Sequence, residues 1–65
     1  MVMDTARYKD RLIEIQSHLL AEEEPELSMI EIYVDGQLVN TTLFAGDVGH
    51  PQVYLRAGKT YIDRL

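Results

Sequence analysis

The side chains best equipped for chemistry in this chain are two histidines, His18 and His50, and a set of carboxylates, in 65 residues that include no cysteine. With thiolates absent, a zinc site would have to draw most of its ligands from carboxylates. His18 stands four residues from both Glu14 and Glu22, a spacing that places two ligands on one face of a helix. A second helical histidine is missing, so His18 reads as a residue flanking an apolar stripe and His50, just before Pro51, as a loop residue. Ser17 adjoins His18, but helical neighbours point about 100° apart and make no nucleophile and base pair. Gly58-Lys59-Thr60 carries the last positions of a phosphate-binding loop. That loop also needs a glycine where Val53 stands and a helix opening after Thr60, and the sequence supplies neither. Paired carboxylates do acid–base work only in a desolvated cleft, and a chain this short has little material to build one. No catalytic, cofactor-binding or metal-binding residue is therefore expected, nor enzyme activity.

The formal net charge is −5, and its layout says more than its size. Lys and Arg occur only at Arg7, Lys9 and Arg11 and again at Arg56, Lys59 and Arg64. Between Leu12 and Leu55 stand Glu14, Glu22, Glu23, Glu24, Glu26, Glu31, Asp35 and Asp47, with no basic residue among them. Such an interval projects a negative field over much of a small surface. It disfavours direct contact with nucleic-acid phosphate and favours a basic protein partner. No run of about 18 consecutive apolar residues occurs, and the first residues lead into no apolar leader segment, so neither membrane insertion nor secretion is expected. The lack of cysteine leans towards the cytoplasm.

These residues have to be positioned by the few elements that one small domain, 1–65, is able to build. The clearest is a β-hairpin over residues 29–44 turning at Asp35-Gly36, because both central positions of a type I′ turn need φ > 0. In that register Tyr33 faces Leu38, Ile32 faces Val39, Glu31 faces Asn40 and Ile30 faces Thr41. Ile30, Ile32, Val34, Val39 and Leu43 then share one face, and Glu31, Tyr33 and Leu38 the other. Ahead of the hairpin, Tyr8, Leu12, Ile15 and Leu19 recur at helical spacing, which predicts an amphipathic helix over 5–24 that ends before Pro25 and covers the aliphatic face. Glu22, Glu23, Glu24 and Glu26 would then crowd the negative end of the helix dipole, an unfavourable place that points to a function for them. Beyond a Gly- and Pro-containing loop, 52–56 and 59–63 read as a second hairpin turning at Ala57-Gly58, with Tyr54 and Tyr61 on the face of Tyr33; a short helix opening at Thr60 is the competing reading. The expected fold is thus α+β, one N-terminal amphipathic helix packed on an antiparallel sheet of three to four strands.

Without a catalytic constellation, the functional expectation rests on charge and on one aromatic. Glu14, Glu22, Glu23, Glu24, Glu26, Glu31, Asp35 and Asp47, joined by Tyr33 as a contact of large area and low entropic cost, form the expected partner-binding set. In size, acidity and α+β make-up the chain resembles small phage-encoded inhibitors that act as DNA mimics, anti-CRISPR proteins among them. That resemblance is one of general character and transfers no residue role. It implies an inhibitor that sets carboxylates where phosphates would lie and blocks a basic nucleic-acid-binding protein, such as a CRISPR effector subunit. The alternative is a structural or adaptor module whose strand edge or Tyr33/Leu38 patch joins a second copy, as in a homodimer, or a larger assembly. A carbohydrate-binding sandwich, whose turns the segments around Asp35-Gly36 and Ala57-Gly58 echo, fits the short length less well.

Overall fold

The computed structural model describes residues 1–46 and 49–65. The described residues form four strands and one helix in the order β1 (Val2–Tyr8), β2 (Arg11–Ala21), β3 (Leu27–Val34), β4 (Gln37–Ala45) and α1 (Pro51–Asp63). The strands form one antiparallel meander in which each pairs with its sequence neighbours. The helix follows the sheet and packs on a single face of it, over β1, β2 and β3.

The expected fold, an N-terminal helix packed on a sheet of two hairpins, is overturned: four strands come first and the helix is C-terminal. Residues 5–24, expected as a helix, are instead the end of β1, a tight turn, β2 and the start of a loop. The spacing of Tyr8, Leu12, Ile15 and Leu19 coincides with a second pattern of period two. Ile13, Ile15, Ser17 and Leu19 point to the helix side of the sheet, while Glu14, Gln16 and His18 point away from it. Two β-branched isoleucines in alternation favour the strand. Lys9 (φ 50°) and Asp10 (φ 63°) make the two-residue turn that lets Tyr8 pair with Arg11. Both central residues have positive φ, as a type I′ turn requires, although neither is the glycine that normally signals one.

The second expected hairpin is also overturned, because 51–63 is a single helix. Thr60 does not open it. His50 is the N-cap, its Nδ1 accepting from the Gln52 amide at 3.3 Å, and Pro51 sits in the first turn, where a missing N–H costs nothing. The helix buries Tyr54, Leu55, Gly58 and Ile62, a stripe at spacings of one, three and four. Gly58 is where the helix comes closest to the sheet. A Cβ at that position would lie 2.8 Å from Cγ2 of Ile13, so the residue that resembles a turn signal in the sequence is a point of close approach between elements. Tyr54 accordingly enters the core and Tyr61 lies on the outer side of the helix, so neither joins Tyr33 on a sheet face.

The Asp35-Gly36 hairpin forms as expected, with φ of 51° and 81° at the two turn residues and Val34 opposite Gln37. Its register holds through Tyr33 and Leu38 and then shifts by one at a bulge, so that Ile32 faces Asn40, Glu31 faces Thr41 and Ile30 faces Thr42. The shift carries Leu43 to the face away from the core, opposite Met29 and 63 % exposed, whereas Val39 still packs against the core. Ile13, Ile15 and Ile30 are fully buried, joined by Ile32, Val34 and the helix stripe. Each such aliphatic side chain contributes on the order of 1.5–3 kcal/mol.

Two latches close the end of the molecule that holds the tight turns. The Tyr8 hydroxyl donates to Asp63 at 2.9 Å and the Lys9 ammonium meets the same carboxylate at 2.6 Å, tying the β1–β2 turn to the last turn of the helix. That contact with Lys9, then the Tyr8 hydrogen bond, holds the Asp63 carboxyl below its usual range, and Asp63 in turn raises Lys9. Asp35 accepts from the Leu12 amide at 3.0 Å and meets Arg11 at 3.2 Å, tying the β3–β4 turn to β2. Among the described residues no helix is long and apolar enough to cross a membrane.

Candidate functional site: the open face of the sheet

Because the helix covers one face only, every second residue of β2 and β3 projects from an uncovered face. Glu14, Gln16 and His18 of β2 stand there opposite Tyr33, Glu31 and Met29 of β3, each cross-strand pair in direct register. Residues opposite each other across an antiparallel pair have Cβ atoms about 5 Å apart, so the five polar side chains form one contiguous cluster. Gln16 donates to Glu14 at 2.6 Å. His18 Nε2 lies 2.6 Å from Glu31 Oε1, with the Glu31 side chain only 15 % exposed. That nitrogen is shielded from solvent and has no well-formed hydrogen bond to another described residue, and the Glu31 carboxylate is the acidic group beside it. Tyr33 sits between the two glutamates. Its phenol is pushed above its ordinary range, first by burial against the sheet and then by the negative charge and hydrogen bonding of Glu31 and the charge of Glu14.

Around this polar centre the same face carries apolar residues. Leu12 and Leu38 flank it towards the tight turns, and Met29 and Leu43 flank it on the other side, with Leu12, Leu38 and Leu43 exposed. Arg7, opposite Leu12, is a basic residue on the β1 margin of the face. The result is an open, mixed surface with two carboxylates and an aromatic ring near its middle. An uncovered face of this make-up suits a macromolecule, whereas small-molecule sites are concave. Among the described residues no group of three or more His, Asp or Glu side chains converges as a metal site would require.

Of the expected partner-binding set, the structure gathers Glu14, Glu31 and Tyr33 on this face and separates the rest. Asp35 is engaged by Arg11 and by the Leu12 amide, so its carboxylate is already used in the turn. Glu22, Glu23, Glu24 and Glu26 lie exposed in the β2–β3 loop, at the end of the 39 Å long axis opposite the two tight turns. No helix precedes them, so the unfavourable dipole invoked for them does not exist. Asp47 lies outside the described residues. Gln16 and His18, which orient the two glutamates, were missing from the expected set. The alternation of Ile13, Ile15 and Ser17 with Glu14, Gln16 and His18 is the signal that places all three polar residues on one face.

Comparison with protein-family models, with curated proteins and with solved structures yields no match to this chain.

Proposed function

We propose that this protein is a small interaction module that holds a basic partner against the open face of its sheet, with Glu14 and Glu31 as anionic contacts and Tyr33 as the aromatic anchor. The observation carrying this reading is that both carboxylates have a close polar neighbour, Glu14 accepting from Gln16 and Glu31 lying 2.6 Å from His18 Nε2, on the one sheet face that the helix leaves free. Side chains already fixed in place lose less entropy when a partner binds. The exposed glutamates of the β2–β3 loop add to a negative field that speeds encounter with a positively charged surface. A cytoplasmic nucleic-acid-binding protein is the partner class this charge favours. By occupying a groove made for phosphates the module acts as an inhibitor, and a CRISPR effector subunit is one example of such a target.

The test is capture of partners from host lysate across a salt series, comparing the parent with Glu14→Gln/Glu31→Gln, with Tyr33→Ala and with Glu22→Gln/Glu23→Gln/Glu24→Gln/Glu26→Gln. A basic nucleic-acid-binding protein should be recovered at low salt and displaced by added DNA. It should be lost with either open-face variant and only slowed in binding by the loop variant. Capture that ignores the open-face changes would sink the assignment of that face. The second reading, a structural module that joins a larger assembly, is favoured by Leu38, Leu43 and Phe44, which lie exposed on the unpaired edge strand β4. A partner retained at high salt and lost on Leu43→Lys would select it.

A further inference from the structure

On the helix side of the sheet a groove of about 510 Å³ runs between β4 and α1. It exists because the helix settles over β1, β2 and β3 and leaves the inner face of β4 largely uncovered. Val39 and Ala57 form its floor, and Val53 and Tyr61 stand along its helix wall, 66 % and 37 % exposed. Val53, Ala57 and Tyr61 repeat every four residues, a second stripe distinct from the one that faces the core. Asn40 and Thr60 also line the groove, as do Arg56 and Arg64. They are eight residues apart, about 12 Å along the helix axis. Neither guanidinium makes a salt bridge to a described residue, whereas Lys9 and Arg11 are both paired. A partly apolar trough flanked by two cations that have no ion pair among the described residues is out of character for a chain of net charge −5, and it calls for an anionic occupant with some apolar surface.

The same molecule presents such a group at its other end. The β2–β3 loop carries Glu22, Glu23, Glu24 and Glu26 around Pro25, with Leu20 exposed at its base, and none of these carboxylates is paired with a described residue. Within one chain the loop and the groove cannot meet. The helix ends beside Tyr8 and Lys9, at the tight-turn end, while the loop follows the far end of the 11-residue strand β2. At about 3.3 Å per strand residue this leaves roughly 20 Å or more between the loop and either arginine, beyond the roughly 8 Å screening length at physiological salt. We infer that the groove between β4 and α1 is a docking site for the acidic β2–β3 loop of a second copy of this chain, with Arg56 and Arg64 receiving its glutamates and the Val53–Ala57–Tyr61 stripe receiving Leu20 and Pro25. The two surfaces differ, so a head-to-tail contact leaves a free groove on one copy and a free loop on the other. In this head-to-tail arrangement the free groove and the free loop each take a further copy, so association grows as open chains. A loop in a groove buries less than a standard interface, so the affinity falls at about 10 µM or weaker.

Sedimentation velocity on the full chain, from about 10 µM to 1 mM, tests this directly. Average mass should rise with concentration past that of a dimer at low salt and return to the monomer in about 0.5 M salt. Arg56→Gln/Arg64→Gln and Glu22→Gln/Glu23→Gln/Glu24→Gln/Glu26→Gln alter exposed side chains only, and circular dichroism will verify that both fold. Each alone should remain monomeric. Mixed, the first supplies an intact loop and the second an intact groove, and they should form a 1:1 dimer that grows no further. A parent that stays monomeric throughout, variants that still associate alone, or a mixture that gives no dimer would each overturn the inference. Glu14→Gln/Glu31→Gln should leave self-association unchanged, which keeps this outcome separate from the fate of the open-face assignment. Loss of association in that variant would place the contact on the sheet and overturn the groove.

Discussion

Replacing Gly58 by alanine sets two well-characterised effects against each other. In an exposed helix interior the change is favourable by about 1 kcal/mol, because glycine has the greater backbone entropy to lose. Here the added Cβ would fall 2.8 Å from Ile13 Cγ2, 3.2 Å from its Cδ1 and 3.4 Å from its Cγ1. Ile13 is fully buried and β-branched, so it has neither solvent to move into nor a second easy rotamer. Overpacking of this kind costs about 1–3 kcal/mol. The balance is a net destabilisation of about 1 kcal/mol, which for a domain of this size lowers the midpoint of a thermal melt by about 4–8 °C. Circular dichroism at a helical wavelength, with a two-state fit, measures it. The coupling is equally informative. Ile13→Val removes Cδ1 and costs about 0.5–1.5 kcal/mol in the parent, and it should cost less beside alanine at position 58, where that methyl is one of the crowded atoms. A melt that rises by several degrees on Gly58→Ala, as for a solvent-facing helical glycine, would show that the helix does not rest on Ile13 and refute the packing described above.

Two further outcomes follow from the core and from the latch. Ile32→Asp places an unpaired charge beneath the helix and should cost roughly 4 kcal/mol or more, enough to abolish the cooperative melt and most of the far-UV signal; an unchanged melt would mean that Ile32 does not face the core. Asp63 has a folded-state carboxyl below its unfolded value, so its contribution is complete above about pH 4 and is lost as pH falls through the lower folded value. Lys9 is raised, so its share is complete below about pH 10 and disappears only as pH rises through its folded value. Thermal melts of parent and Asp63→Asn should therefore differ most at neutral pH and converge in acid, and curves that stay parallel down to pH 2 would show that the latch contributes nothing.

The hairpin at Asp35-Gly36 was legible in the sequence because its turn chemistry and its apolar alternation agree. The register was legible only as far as Leu38, since nothing in Val39-Asn40 announces the bulge that moves Leu43 across the sheet. The region 5–24 misleads for a specific physical reason: Tyr8, Leu12, Ile15 and Leu19 satisfy a period of 3.6, while Ile13, Ile15 and Leu19 also satisfy a period of two. The turn that decides between them is Lys9-Asp10, a pair without glycine. At the other end Gly58 resembles a turn because the sequence does not reveal that a neighbouring strand will need the space. His50-Pro51 was the helix signal there, a cap followed by a proline in the first turn. Of the candidate site, Glu14, Glu31 and Tyr33 were identified as acidic or aromatic residues, but their company with Gln16 and His18 depends on reading β2 as a strand. What separates them from Glu22–Glu26 is distance in space, and charge counting along a chain contains no distances.

The unbroken order β1-β2-β3-β4 also bears on how the molecule is made. Every strand pairs with the one synthesised just before it, across connections of two, five and two residues, so no long loop has to close before a contact forms. Such local wiring is associated with fast folding. Yet the lid follows the sheet in sequence: until Tyr54, Leu55 and Ile62 dock, Ile13, Ile15, Ile30 and Ile32 lie on one bare surface. During that interval the nascent sheet is greasy on its inner side and unpaired at both margins, the combination most prone to stick to other chains. Its protection in those moments falls to the lysines, arginines and glutamates placed at the turns and the intervening loop, and chiefly to how soon α1 follows.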